Sequence, residues 1–156
     1  MNSPVNDTND NSYLPLGLVN ALSLIRKDML GLDQIRQRHR IPLSHMQVLF
    51  MLERSGEASV TEISKRFGIA KSNITPMVKR LISQGYVDRL RTGRDLRVVN
   101  IILRPEGKEK LRVIKQEMRA YFQQWLDQLE PDIQDEVVKD LTSLMSALLA
   151  YKKSTV

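Results

Sequence analysis

The sequence predicts a mainly α-helical fold that carries a small β hairpin, and two patterns support this. Long stretches before residue 56 and after residue 104 repeat apolar residues every three or four positions, which is the period of an amphipathic helix. Between these stretches, apolar and mostly β-branched residues form two short runs, Tyr86–Leu90 and Val98–Leu103. Gly93 lies between the two runs and permits a tight turn. With 156 residues, the chain is long enough to bury a genuine core.

The first part of the chain divides into a tail and a helix. Residues 1–13 are rich in Asn, Asp and Ser, and we predict that they are a disordered N-terminal tail. From about Leu16, steps of four and three residues give a heptad-like seam at Leu18, Leu22, Ile25, Met29 and Leu32. We predict one long helix here, slightly weakened at Gly31 and ended by Ile41-Pro42.

Three shorter elements are predicted next. Ser44 is followed three residues later by Gln47, the pattern of a capping box that opens a helix. Glu57–Val60 is predicted to be a short strand that joins the hairpin in a sheet. Thr61 is the predicted N-cap of a helix of about two turns, which Gly68 ends in the left-handed conformation.

A further helix is predicted from about Lys71 to Gly85, and its two faces differ. The inward face is expected to carry Ile74, Met77 or Val78, and Leu81. The other face is polar and basic, with Lys71, Ser72, Asn73, Thr75, Pro76, Lys79 and Arg80. Because Pro76 lies beyond the first turn, we expect a local bend or a late helix start. A polar face alone is more typical of an ordinary solvated helix.

Positive charge is concentrated in the same region. Residues 71–97 contain seven cations and two anions, a net charge of +5 in a chain whose total is +6. Such a concentration beside a polar helix face is typical of proteins that bind a polyanion. The sequence pI of about 9.7 agrees with a nucleic-acid partner, although membrane-surface proteins share such values.

Two long amphipathic helices are predicted after the hairpin. Pro105 opens the first, whose apolar positions are Leu111, Ile114, Met118, Phe122, Trp125 and Leu129. Glu130-Pro131 interrupts the pattern, and the last helix carries Ile133, Val137, Leu141, Leu144 and Leu148. These stripes exceed what the shorter elements need for their own core. A second copy of the chain would cover them, so we expect a homodimer.

The composition argues against several other classes of protein. The chain has no cysteine, which excludes thiol catalysis, disulfides and cysteine-based metal sites. Its two histidines, His39 and His45, are more typical of structural roles than of a zinc site, and we predict neither a metal nor another cofactor. No glycine-rich phosphate loop precedes a helix, so we do not predict an enzyme. No apolar run approaches the roughly 20 residues of a membrane helix. With no basic-then-apolar leader, we expect a cytoplasmic protein.

At this point the sequence resembles the MarR family of winged-helix transcriptional regulators. The residues that carry the resemblance are LSHMQVLFML from Leu43, then SVTEISKRFGIAKSNITPMVKRLISQGYVDR from Ser59, and the wing motif Asp95-Leu96-Arg97. The resemblance implies a winged helix-turn-helix core, a DNA-binding region at 43–104, and helical dimerisation regions at 14–42 and 105–152. Ala70 departs from the family, where Ser is common before the second helix, and Arg104 stands where Thr is usual.

The resemblance gives roles to the basic residues. In the family, the wing arginine enters the minor groove and the aspartate holds it, so Arg97 and Asp95 are expected to do the same here. We expect Lys71, Ser72, Asn73, Thr75 and Lys79 to contact bases or phosphates, with Pro76 in the same interface. Arg80, Arg91 and Arg94 are expected to contact the DNA backbone. Ser44 and Thr61 are predicted to add phosphate contacts through helix N-termini.

These observations favour a dimeric, sequence-specific regulator, most simply a repressor, on a pseudo-palindromic DNA site. The resemblance also implies a small amphipathic or aromatic effector between the dimer helices and the DNA-reading part, although some members need none. The sequence identifies no residues for such a ligand.

Two alternatives remain open at this stage. An architectural nucleic-acid binder would show a steep salt dependence and little sequence preference. A winged-helix protein-interaction module would tolerate the loss of Arg97 and would not bind duplex DNA. The basic wing argues against the second alternative and leaves the first.

Overall fold

A computed structural model describes residues 14–91 and 99–154 of the chain. In this part of the chain the helices are α1 (Leu14–Leu24), α2 (Leu32–His39), α3 (Leu43–Ser55), α4 (Val60–Phe67), α5 (Lys71–Ser83), α6 (Pro105–Leu126) and α7 (Pro131–Ser154). The strands are β1 (Glu57–Ser59), β2 (Val87–Arg91) and β3 (Val99–Leu103). The predicted class, mainly α with a small β wing, is confirmed. The predicted disordered tail, residues 1–13, lies outside the described residues.

The N-terminal helix is interrupted, so the prediction of one long helix was wrong. After α1 the chain forms a π-helical turn at Ile25–Met29, in which the Leu30 N–H donates to the Ile25 carbonyl. Gly31 then adopts a left-handed conformation with φ of +57° and is the N-cap of α2. Glycine enters this region without a steric penalty because it has no Cβ atom. The apolar repeat runs across the break, which is why periodicity alone did not reveal it.

The start of α3 also differs from the prediction. The N-cap is Pro42, whose carbonyl accepts from the N–H groups of His45 and Met46, and no side chain caps the helix. Ser44 is therefore the second residue inside α3 and not its cap. Pro42 has an extended ψ of 149°, and as the N-cap it starts the helix two residues earlier than the Ser44–Gln47 pattern suggests.

Helix α4 is capped by Ser59, and the prediction that Thr61 is its N-cap was wrong. The Glu62 N–H donates to Ser59 Oγ at 3.2 Å, and the Ser59 N–H donates to Glu62 Oε2 at 2.7 Å. This reciprocal capping box satisfies two donors at once, which Thr61 could not do with its partner three residues on, Ser64. Gly68 ends α4 in the left-handed conformation, as predicted.

The sheet is antiparallel, with strand order β1-β3-β2. In its register Ala58 lies opposite Ile101, and Ile101 lies opposite Arg89 on the other neighbouring strand. Ala58, Ile101 and Val87 are buried on one face of the sheet. That face packs against helices α3, α4 and α5 through Leu49, Leu52, Ile63, Val78 and Leu81, which form the winged-helix core.

Helices α6 and α7 begin at Pro105 and Pro131, as the sequence predicts. The described residues form two compact units: Gly31–Met118 is one, and the residues up to Leu30 together with those from Arg119 onward are the other. We call the first the winged-helix unit and the second the helical unit. None of the helices in the described ranges is both long and apolar enough to cross a membrane.

Candidate nucleic-acid interface

Helix α5 separates a buried face from an exposed one, as the sequence predicts. Ile74, Val78 and Leu81 are at most 2% exposed and belong to the core of the winged-helix unit. The opposite face, which we call the reading face, consists of Lys71, Ser72, Asn73, Thr75, Pro76, Lys79 and Arg80. All of its residues are exposed except Thr75, which is half-buried. The α5 residues that the sequence predicts to contact DNA therefore lie together on one helix surface.

The N-terminus of α5 is open to an anion. Ala70 is the N-cap and forms no side-chain hydrogen bond, while its carbonyl accepts from the N–H groups of Asn73 and Ile74. The N–H groups of Lys71 and Ser72 precede the first intrahelical bond and need an external acceptor. The positive end of the helix dipole adds to their attraction for phosphate.

Pro76 lies inside an uninterrupted α5, so the alternative of a late helix start was wrong. A proline at this position offers no N–H to the Ser72 carbonyl four residues earlier. The residue before the proline, Thr75, donates its Oγ1 hydroxyl to the Lys71 carbonyl one turn earlier, at 2.9 Å. This bond holds the threonine hydroxyl against the backbone. The helix therefore keeps its first turns although one hydrogen bond of its ladder cannot form.

Among the described residues, the cations of this surface have no carboxylate within ion-pair distance. In the part of the chain that the structure describes, no carboxylate lies within ion-pair distance of Lys71, Lys79, Arg80 or Arg91. Other cations of the same unit are neutralised: Lys115 Nζ lies 2.7 Å from Glu53 Oε1 and Arg112 Nη2 lies 2.7 Å from Glu109 Oε1. The positive potential of the reading face is therefore not cancelled locally, which favours an anionic partner.

Arg104, which departs from the family pattern, forms ion pairs with two carboxylates of the same chain. Its Nη1 lies 3.8 Å from Asp88 Oδ2 and its Nε lies 3.4 Å from Glu106 Oε2. A phosphate contact would have to compete with both carboxylates.

Ser44 and Thr61 lie in the first turns of α3 and α4, and both are half-buried. Ser44 Oγ is 3.3 Å from Nδ1 of His45, so its hydroxyl is turned toward a neighbouring side chain. Neither residue is an N-cap. Their predicted phosphate contacts therefore rest on their positions in helix first turns.

His45 is a neighbour of the interface that the sequence pattern did not single out as buried. Its side chain is 8% exposed. Burial, and secondly the positive charge of Arg80, lower the pKa of His45, so the ring is neutral at neutral pH. Its place between apolar Leu43 and Met46 in the first turn was the only sequence signal for burial.

The wing is described only in part. Arg91 is the exposed last residue of β2, opposite Val99 in the sheet. Arg94, Asp95 and Arg97, the other predicted wing contacts, lie outside the described residues. Their roles remain predictions from the motif.

The described residues contain no group of three or more His, Asp or Glu side chains placed to hold a metal ion. His39 is instead bound within the protein. Its Nε2 lies 3.0 Å from Glu117 Oε1, and Lys110 Nζ lies 3.3 Å from its Nδ1.

Comparisons with known proteins agree with this geometry. The MarR family model matches residues 41–99. The uncharacterised HTH-type transcriptional regulator YfiV of Bacillus subtilis is 28% identical over 79% of this chain and 78% of its own length. The structure of RV1404 from Mycobacterium tuberculosis covers 88% of this chain and 93% of its own, with a TM-score of 0.78 and 21% identity. A MarR variant from E. coli, solved in complex with operator DNA, is 25% identical with a TM-score of 0.63, over 89% of this chain and 96% of its own.

The family match lies on the winged-helix unit, and the structural matches extend over both the winged-helix and the terminal helices. YfiV, like several of the other curated relatives, is named as an HTH-type transcriptional regulator. Over residues 41–99, the chain is similar to the MarR family of transcriptional regulators.

Proposed function

We propose that this protein is a sequence-specific DNA-binding repressor that acts as a homodimer on a pseudo-palindromic operator. The observation that carries the proposal is the reading face of α5, where amide, hydroxyl and cationic side chains are exposed together with no described carboxylate beside the cations. Such a face fits the major groove, where Asn, Ser, Thr and Lys contact base edges and phosphates. The related E. coli protein was solved with operator DNA, which supports the same partner here. Acting on DNA, the protein would work in the cytoplasm.

The homodimer is supported by the exposed apolar residues of the helical unit. On α1 these include Leu18 and Leu22, and on α7 they include Leu144 and Leu148, each between 49% and 63% exposed. Apolar stripes of this kind mark a surface that another molecule covers. A two-fold dimer would present two copies of α5 with centres about one helical turn of DNA apart. Occupancy of such a site would block other proteins from the same DNA, which is the simplest route to repression.

A small effector is supported by a cavity in the helical unit. The cavity has a volume of about 420 Å³ and is lined by Ile25, Met29, Leu30, Phe122, Val138, Leu141, Thr142 and Met145. This volume suits a small, mainly apolar ligand. Val138 and Met145 also belong to the exposed apolar set, so a ligand here would touch side chains of the proposed dimer surface. It would release the operator only if it prefers a dimer spacing that does not fit the DNA.

The test is the operator affinity of Arg97→Ala, measured by fluorescence anisotropy on a duplex selected from random sequence. We expect at least a tenfold loss for the selected duplex, because a guanidinium in a narrow minor groove loses its contact. Arg112→Ala is the matched control, since Arg112 is paired with Glu109 on α6. The dimer mass should not change in either variant. Equal affinities of the two variants and the wild type would refute the role of the wing.

Architectural binding without a defined operator is the second candidate, because cations with no carboxylate partner among the described residues attract the phosphates of any sequence. It predicts equal affinity for the selected duplex and for a scrambled duplex of the same length. Our proposal predicts a preference of at least a hundredfold for the selected duplex, on the order of the usual gap between specific and non-specific binding.

A further inference from the structure

Strand β2, which contacts α5, carries a second set of exposed basic residues. Alternate residues of a strand point to opposite sides, so Val87, Arg89 and Arg91 share one face of β2, and Asp88 and Leu90 share the other. Val87 is 1% exposed and packs in the same cluster as Val78 and Leu81 of α5. The face that carries Arg89 and Arg91 is therefore the face on which α5 packs.

The sheet register places Arg89 at the edge of that face. Arg89 lies opposite Ile101, which is 1% exposed, and Ile101 is followed across the sheet by buried Ala58. Because β2 is an edge strand, the row of side chains that begins in the core at Ala58 ends at the surface with Arg89. Its guanidinium is thus held beside the winged-helix core and exposed to solvent.

Charge is separated between the two faces of β2. On the face away from α5, Asp88 is balanced by Arg104, whose Nη1 lies 3.8 Å from Asp88 Oδ2. On the α5 face, no carboxylate among the described residues lies within ion-pair distance of Arg89 or Arg91. The two guanidinium groups start from Cα atoms roughly 6.6 Å apart, two residues along one strand. Among the described residues they form a pair of cations without a carboxylate partner, directed away from Asp88, the only acidic residue of their strand.

We propose that Arg89 is a DNA phosphate-binding residue that grips the backbone beside the groove occupied by α5. The inference rests on the proposed function. A helix seated in a major groove is flanked by a sugar-phosphate backbone on each side, so cations beside the helix meet phosphates and not base edges. Arg89 lies beside α5, on a strand that leads away from the C-terminal end of that helix. Its role is to fix the position of α5 on the duplex and not to select bases.

The experiment compares Arg89→Gln with Arg112→Gln, which removes the same charge from an exposed, paired arginine on α6. Affinity is measured from low to physiological salt on two duplexes of equal length, one selected from random sequence and one with scrambled sequence. For Arg89→Gln we expect a roughly tenfold loss on both duplexes at physiological salt. The slope of log K against log salt should fall in magnitude by about 1.8, since each dimer loses two phosphate contacts.

The outcomes separate the inference from the proposed function. A slope and affinity equal to those of Arg112→Gln would overturn the inference, and so would a loss confined to the selected duplex, which would make Arg89 a base reader. Arg89→Lys keeps the charge and should keep the wild-type slope. If Arg89→Gln proves unstable in thermal unfolding, Arg89→Lys still tests the inference. A wild-type slope of log K against log salt for Arg89→Lys would then support a charge contact, and a reduced slope would contradict it. Wild-type protein that binds neither duplex would refute the proposed function itself.

Discussion

His45 shows how one side chain can link the winged-helix core to the reading face. It is buried in the first turn of α3, and the second cause of its lowered pKa is Arg80, a residue of the reading face. A proton on His45 would place a second positive charge beside Arg80 in a poorly solvated position. The fold therefore favours the neutral ring.

This makes stability depend on pH in one direction. Because the pKa of His45 is lower in the folded state, the unfolded chain takes up the proton first as the pH falls below about 6.5. The free energy of unfolding should therefore decrease from pH 7 to pH 5. Urea denaturation should show a smaller decrease for His45→Gln than for the wild type. Arg80→Gln should have a weaker effect, because burial is the larger cause; an unchanged pH dependence in His45→Gln would contradict the assignment.

Ser59 makes a second prediction at this scale. Removing its hydroxyl breaks the bond to the Glu62 N–H and half of the capping box. Ser59→Ala should lower the free energy of unfolding by about 1 kcal/mol, the usual cost of losing an N-cap. Thr61→Ala, two residues away and inside α4, should cost clearly less in the same urea titration. Equal losses for the two variants would mean that the cap is not where the structure places it.

At the scale of elements, the junction between helix α5 and helix α6 is closely packed. The Tyr86 carbonyl accepts from the Arg104 N–H at 3.0 Å, and Lys110 Nζ lies 5.7 Å from the centroid of the Tyr86 ring. Gly107, in the first turn of α6, lies directly against the Tyr86 carbonyl. This contact fixes the start of α6 on the segment that follows α5.

A methyl group at Gly107 would collide with the Tyr86 carbonyl, and backbone cannot move aside as a flexible side chain can. Gly107→Ala should therefore destabilise the protein by about 1–3 kcal/mol, as overpacking usually does. Gly17→Ala is the control, because a Cβ at Gly17 in α1 meets no atom within 4 Å. It should leave stability unchanged or raise it by up to about 1 kcal/mol. Equal thermal midpoints for the two variants would contradict the close contact.

Element boundaries differ in how far the sequence could predict them. Gly68 and Pro131 were reliable because each restricts the backbone through its own covalent structure. The starts of α3 and α4 were not, because several Ser and Thr residues lie near each start and only the three-dimensional path decides which one caps. The break at Gly31 was underestimated, since an apolar repeat can continue through a left-handed residue.

The residues of the candidate interface also differ in how far the sequence could predict them. The reading face followed from helical period, because Ile74, Val78 and Leu81 fix which side of α5 is buried. Arg89 did not follow, because its position depends on the register of β2 against β3 and on which face α5 covers. The burial of His45 likewise depends on packing between elements that are distant in sequence.

For the whole molecule, the proposed dimer is the feature on which the proposed operator binding depends. Leu148→Glu places a charge in the exposed apolar stripe of α7, where Leu148 is 60% exposed. Light scattering should show the mass falling from twice 18.0 kDa toward 18.0 kDa. Operator affinity should fall at least tenfold, since the two winged-helix units of a dimer would no longer bind the same DNA together. Ser143→Glu adds the same charge at an exposed polar position of α7 and should remain dimeric. A Leu148→Glu variant that keeps the wild-type mass would place the dimer surface elsewhere.

The most direct test of the central claim is a selection of random duplex DNA on the purified full-length protein at near-physiological salt, followed by sequencing. A dimer that reads DNA through two copies of α5 predicts enrichment of a pseudo-palindrome with half-site centres about one helical turn apart. Retention of DNA without an enriched motif, or no retention at all, would contradict the claim that this protein is a sequence-specific dimeric regulator.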